Sequence, residues 1–384
     1  MNDNIENQLL NELLNFSVPV IPSKTRFWMI RTQKGYFYNE FVTKRFVALA
    51  WNTIDESTNF SEDSRDILKD DILMEFKEIH RPSTVINKCF TFIHEIHEGD
   101  ILIIPSAGSQ YITLATAGSY FEDTTKTVEL EHLVISKIEN NDVDISDVSC
   151  PYKKRRHIRL LRTVKNEDLN YSLCRAISNY HGLSNMDPYA NHILNSLYNY
   201  YTFKGTTALV YNVRKSTPIR PRELGNILYG TTDLLAQVAQ DEQISTQVSL
   251  NSPGDIVFYI QTFCKENWTY AFGLLILLGG GSALTFKVPG IIDIIKSILN
   301  APLERQEKKA AADLKTLEVF EKKLEIYEKI KASGINPETL KQPIEAIASA
   351  CSTLQVEPIT VNDEHAAILP AEAAVPEPHD IDEE

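Results

Sequence analysis

Basic residues are in short supply here. Lys and Arg number 38 against 52 Asp and Glu, a formal net charge of −14 over 384 residues. A protein that gripped nucleic acid with its whole surface would carry the opposite excess, so any such contact must use a local basic patch. Cysteine is sparse too. The five (Cys89, Cys150, Cys174, Cys264, Cys351) are odd in number, and no two stand at CxxC spacing. That argues against a disulfide scaffold and a structural zinc site, and it suits a reducing compartment. The opening MNDNIENQLLNELLNF has no basic region before an apolar run, so no signal peptide is expected. The expected location is the cytoplasm, with inner-membrane association left open.

Catalytic signatures are missing as well. There is no GxSxG, no Walker A and no HExxH. His94 and His97 have HxxH spacing but no nearby third ligand. Glu321-Lys322-Lys323 matches an ExK fragment, yet it sits in a charged helical stretch without a preceding Asp on a strand. Gly279-Gly280-Gly281 lacks both the GxGxxG form and a following Lys. Cys89 and Cys174 lie in apolar contexts and read as core. No enzymatic activity, metal or cofactor is expected.

What the chain does contain is ordinary globular material: 43% hydrophobic, 23% charged and 9% aromatic residues. Global disorder and fibrous repeats are thereby excluded, and the length allows two or three domains. Residues 1–23 read as an amphipathic helix carrying Leu9, Leu10, Leu13 and Leu14, broken by the prolines of SVPVIPS. Residues 24–165 read as a β-rich domain. RFWMIRT and RFVALAWN are strands separated by the turn-prone QKGYFYNE. A helix follows, with Leu68, Ile72, Phe76 and Ile79 at helical spacing. ILII, YITLATA, VELEHLVISKI and HIRLLRTV supply further strands, enough for a small, partly open barrel. Residues 166–250 look mixed α/β. Tyr189, Ile193, Leu197 and Tyr200 share one helix face, TTALVYNV is a strand, and PRELGNILYG starts a helix at Pro221. Residues 251–300 form an apolar helical segment. Residues 301–335 step apolar positions by three and four among Lys and Glu, as in a short coiled coil. Residues 336–384 give a short helix and then an acidic tail without Lys or Arg from Glu357 onward, expected to be disordered. The overall expectation is α+β, with a barrel in front and helices behind.

The string RFWMIRTQKGYFYNEFVTKRFVALAW (Arg26–Trp51) resembles the opening of a PUA-like domain of the EVE type. Trp28, Arg31, Gly35, Phe41, the Ala48–Ala50 stretch and Trp51 carry the resemblance, which continues through GDILIIPS, the turn Ala107–Ser109 and Tyr111–Tyr120. It covers about a third of the chain. The resemblance implies a reader of nucleic acid, often of modified bases, of the kind attached to varied effectors in bacterial restriction and anti-phage proteins. Reading an unstacked base needs aromatic faces and a few polar groups. Trp28, Tyr36, Phe37, Tyr38 and Trp51 are candidate faces, with core packing as the alternative. Arg31, Ser106 and Ser109 are candidate polar contacts. PYKKRRHIRLLRTVK brings Lys153, Lys154, Arg155, Arg156 and Arg159 together without one acid. That is either a footprint for a phosphate backbone or a solvated strand edge.

Tyr270–Phe286 holds 17 residues without a charge, the lower limit for a membrane span. A buried hairpin, a true span and an oligomerising surface all remain open. The resulting expectation is a non-enzymatic sensor–effector in phage defence. Its front domain binds nucleic acid or a nucleotide, and its helical rear oligomerises, through 301–331, or meets a membrane at 270–286. The alternative is an adaptor that recruits a separate nuclease, docking through the 301–331 helix and the acidic tail. A nuclease hidden in residues 166–250 is a third reading.

Overall fold

The computed structural model of the chain describes residues 3–31, 33–140, 148–180, 182–250, 254–263, 268–269, 272–273, 291–302 and 314–359. It is mixed α/β and includes a sheet curled into a half-barrel. In chain order the elements begin with α1 Asp3–Leu14, β1 Val20–Ile21, β2 Phe27–Arg31, α2 Tyr38–Lys44, β3 Phe46–Leu49, α3 Arg65–Glu75 and α4 Pro82–Phe90. Next come β4 Ile101–Pro105, β5 Tyr111–Glu122, α5 Val128–Glu139, β6 Lys154–Lys165, α6 Tyr171–Asn179, β7 Gly182–Asn185 and α7 Ala190–Asn195. Then follow β8 Tyr200–Phe203, β9 Thr206–Val213, α8 Pro221–Leu235, β10 Ile244–Leu250 and β11 Gly254–Ile260. The last are α9 Ile291–Leu299, α10 Leu314–Ala332, α11 Pro337–Thr353 and β12 Val356–Glu357.

The described residues form two compact units. Residues 24–193 make one, and residues 1–23 with 194–360 make the other. The first therefore interrupts the sequence of the second.

The interrupting unit is built on a sheet of order β3-β6-β5-β4-β2-β7. Only β2 and β4 run parallel, and the other neighbours are antiparallel. The β5–β6 ladder shifts register at Leu114/Ala115 and again at Ala117/Tyr120. Each shift adds local twist and bends the pair, which lets a sheet curl around its core. Phe41, Val47, Leu102, Ala115 and Leu160 fill that core. The entry and exit of the unit are tied together. The Phe27 N–H donates to Asp187 Oδ1 at 2.8 Å, and the Met186 N–H donates to the Phe27 carbonyl at 2.7 Å. Arg26 pairs with the same Asp187 carboxylate at 3.2 Å.

The flanking unit has the sheet order β1-β8-β9-β11-β10, with β12 also paired to β9. Strand β9 is buried along nearly its whole length, as an uninterrupted TALVYNV run demands. Leu9, Leu10 and Leu13 of α1 are buried in the same core as Leu234, Ile295, Ile326, Ile330 and Ile344. Burying each leucine contributes roughly 1.5–3 kcal/mol.

Several expectations change. VELEHLVISKI is helix α5, not a strand. Only its opening Val128–Glu131 alternates; Glu131, Val134 and Ile138 are the buried residues, at helical spacing, and Thr127 Oγ1 caps the helix by accepting from the Leu130 N–H. The two opening strands are not a simple turn apart, because helix α2 lies between them. The expected helix over Tyr189–Tyr200 is only α7, and Tyr200 starts a strand. Residues beyond 165 remain in the same unit, since β7 pairs with β2. The 251–300 segment opens with strand β11 rather than a helix. In α10 the buried face is Phe320, Lys323, Ile326 and Ile330, and Leu317 is exposed. Lys323 pairs there with Glu6 of α1, so this face is covered within the unit. Among the described residues, no helix is long and apolar enough to cross a membrane. Apart from Phe272 and Gly273, the stretch 270–286 lies outside them, as do Cys264, the 279–281 glycines and the tail from 360.

Candidate functional site

Several of the candidate residues lie at the two ends of the long β5–β6 ladder, whereas Arg159 pairs with Thr116 midway along it. Arg31, Tyr36, Ser106 and Ser109 lie where β5 begins, because β2 and β4 both finish there. Trp51, Lys153 and Lys154 lie where β5 finishes, because Leu49 of β3 pairs with Lys154 and Lys154 with Glu122. Strand β5 has 12 residues, so the two groups are separated by on the order of 35 Å of strand at about 3.3 Å per residue. They do not form one pocket.

At the first end, two tight turns meet. Gly35 has φ +89°, and a Cβ there would fall 2.6 Å from the Ala107 nitrogen, so only glycine allows this approach. Arg31 braces the pair. Its Nη2 donates to Ser109 Oγ at 2.7 Å and to the Ile177 carbonyl, in the last turn of α6, at 2.9 Å. The buried Nε has no partner. Burial lowers the guanidinium pKa, and among the described residues no carboxylate forms an ion pair with it. Ser106 is buried, and its Oγ accepts from the Tyr111 N–H, which closes the turn. Tyr36 is half-buried against the core. Tyr38, at 4% exposure, is not a pocket face. Its hydroxyl meets Thr113 Oγ1 at 2.6 Å, and burial raises its pKa. Trp28 is likewise internal. Its indole N–H donates to buried Asp100 at 3.1 Å, with the Arg26 guanidinium 4.3 Å from its ring centre.

The basic run does not present a cationic face as the sequence suggested, because its head is turned to internal partners. Lys153 pairs with Asp55 at 2.7 Å and Glu122 at 3.2 Å. Arg155 pairs with Asp123 at 3.1 Å and lies over the Phe46 ring. Arg156 is buried and donates to the carbonyls of Gly118, Phe92 and Ile93. Lys154 is wholly buried, and burial lowers its pKa. Arg159 alone of the five is exposed. Alternation along β6 sends Lys154 and Arg156 inward onto carbonyls, while the half-buried Lys153 and Arg155 are neutralised by Asp55, Glu122 and Asp123.

At the second end stands Trp51. It is half-buried, and its backbone is left-handed, φ +69°. That region disfavours a bulky residue by about 1–2 kcal/mol. Two buried ions hold it there. The Trp51 and Asn52 N–H groups donate to the two carboxylate oxygens of Glu131, both at 2.7 Å. Lys154 Nζ donates to the Trp51 carbonyl at 2.6 Å and to the Ile54 carbonyl at 2.7 Å. The Ile54 N–H also returns to the Trp51 carbonyl at 3.0 Å, closing a four-residue turn. Thr53 Oγ1 in that turn is buried without a partner. Burial raises the Glu131 pKa against the pull of the Asn52 and Trp51 N–H groups and of Lys154. The sequence reading named Trp51 but missed the role of Glu131, which a strand assignment hid. Lys154, expected at a phosphate footprint or on a solvated strand edge, is instead wholly buried.

Elsewhere, His94 packs against the rings of Phe60 and Phe90. Among the described residues no His, Cys, Asp and Glu side chains group so as to hold a metal. Cys89 is buried, its thiol pushed up to about 11 by burial, whereas Cys174 is only half-buried. In the flanking unit a cleft of about 470 Å³ opens between α8 and α11, lined by Tyr229, Gly230, Asp233, Gln342 and Pro343 among others. It contains none of the candidate residues.

No family model, curated protein or solved structure matches the chain.

Proposed function

We propose that residues 24–193 are a PUA-like, EVE-type reader of nucleic acid or a nucleotide, with Trp51 as the face on which a base stacks. The protein is then a non-enzymatic sensor–effector, acting in bacterial phage defence through its flanking unit. Trp51 carries this reading. Of the two candidate tryptophans it is the half-buried one, packed at the edge of the core where Trp28 is internal, and its left-handed backbone is gripped by two buried charged side chains. Arg31 adds an anion-compatible group at the far end of the ladder. The adaptor alternative leaned on the 301–331 helix, and the described part of that helix has its apolar face covered by its own unit.

The test is binding of the full chain to labelled single- and double-stranded oligonucleotides, with and without modified bases, and to free nucleotides, across a salt series. Trp51→Ala should weaken binding roughly 5- to 150-fold, the worth of one stacked base. With most of the basic run engaged internally, few phosphates are neutralised. The log–log salt slope should therefore be shallow, about −1 to −2. Absence of binding to every member at low salt would refute the reading. A slope several times steeper would show that the phosphate backbone, not the base, dominates.

A further inference from the structure

Resting on that reading, we infer that Glu131 and Lys154 are positioning residues. They form a clamp of two buried ions that fixes the Trp51–Ile54 turn and so sets the indole for stacking against a planar base.

Three features single out this pair. First, both ions are almost fully inaccessible, Glu131 at 2% and Lys154 at 0%. Taking two charges out of water is costly, and apolar residues of similar volume often serve stability as well or better. Second, both ions converge on one residue. Glu131 holds the N–H of Trp51 and Lys154 holds its carbonyl, each at 2.7 Å or less. The peptide units on either side of the left-handed Cα are thus gripped separately. Third, the two come from different elements, α5 and the start of β6. The turn is therefore referenced to both a helix and the sheet, and a base-stacking face needs that kind of fixed orientation. Neither ion touches the proposed ligand; each acts through Trp51.

The experiment uses the full chain labelled with 5-fluorotryptophan. The three tryptophans (Trp28, Trp51, Trp268) give three ¹⁹F resonances, and Trp51→Phe assigns the one of interest. The probe is a labelled single-stranded DNA 12-mer. Glu131→Gln should move the Trp51 resonance and weaken 12-mer binding about tenfold or more. Asp100→Asn is the control. Asp100 is also a buried carboxylate, accepting from the Arg26, Trp28 and His97 N–H groups, and it makes no hydrogen bond to the turn. It should lower the melting temperature while leaving affinity and the Trp51 resonance in place. If Glu131→Gln does not fold, Lys154→Met decides. Either role predicts a lower melting temperature, because the Trp51 and Ile54 carbonyls lose their buried donor; a positioning role also predicts a moved Trp51 resonance and weakened binding by the folded protein, whereas a purely structural ion leaves both unchanged. An unmoved Trp51 resonance in both clamp variants would overturn the inference. So would an affinity loss no greater than that of Asp100→Asn. Failure of the wild-type chain to bind the 12-mer would sink the functional reading alone, because the ¹⁹F shift reports the clamp without ligand.

Discussion

At the scale of single residues, the informative feature is where charge has been buried. Glu131 is a carboxyl whose pKa burial raises above its ordinary 4.5. The folded state then takes up its proton before the unfolded state does. Its contribution to stability therefore grows as pH falls through the raised value and levels off below the ordinary one. Protonation also removes acceptor capacity from the Trp51 and Asn52 N–H groups. The ¹⁹F resonance of Trp51 should accordingly titrate above pH 4.5, and Glu131→Gln should abolish that step. A flat profile in the wild type would contradict it. Around Glu131 the other groups are Lys154, His132, Tyr152 and Cys89, and all four belong in the interpretation of that curve. Asp55 and Glu122 behave oppositely. Burial opposes their ionisation, yet hydrogen bonds and the charge of Lys153 outweigh it and hold both below the usual carboxylate range. Their stabilisation is complete above that range and disappears as pH falls through the depressed values.

Secondary structure was legible where local chemistry and burial agreed, and misread where two periods coincided. Strands β2 and β3 announce themselves as FWMI and FVAL, and α8 by Pro221 at its first turn with Leu234 and Leu235 on its buried side. Helix α5 reads as a strand because its opening VELE alternates and Val, Leu and Ile are dense throughout, while burial follows the helical spacing of Glu131, Val134 and Ile138. Losing that helix hid Glu131. The site at Trp51 was visible only as an aromatic after a strand, since nothing local marks a left-handed tryptophan. The basic run was visible as charge but not as burial, because partners such as Asp55 and Asp123 are distant in sequence. The turn at Gly35 gives a direct test at this scale. Gly35→Ala must accept both a positive φ and a Cβ 2.6 Å from the Ala107 nitrogen, whereas Gly108→Ala, φ +64°, meets open space. Both should lower the melting temperature. The backbone cost of about 1–2 kcal/mol is shared, at roughly 2–4 °C per kcal/mol, and Gly35→Ala should lose several degrees more. Equal losses in a thermal melt would mean that the two turns do not meet as described.

For the whole molecule, sequence order and spatial order differ. The first 23 residues belong with those after 193, and the unit between them has its ends pinned by Asp187. A unit with adjacent ends and its own core should survive excision. Residues 24–193 expressed alone should melt cooperatively, and a drifting, non-cooperative circular-dichroism melt would contradict this. The leucines of α1 carry the complementary prediction. Leu10→Ala opens a cavity in the flanking core, buried there beside Ile326 and Ile330, and should cost about 2–5 kcal/mol. That loss should appear in the full chain's melt and leave the excised unit, which lacks residue 10, untouched.

The functional reading turns on whether a ligand meets Trp51. The deciding measurement is a ¹⁹F titration of the fluorotryptophan-labelled full chain with the tightest-binding oligonucleotide of the panel. The Trp51 resonance should shift or broaden at the occupancy where binding saturates, while buried Trp28 stays in place. A saturated complex in which the Trp51 resonance does not move would show that the base is read elsewhere and that the stacking role of Trp51 is wrong.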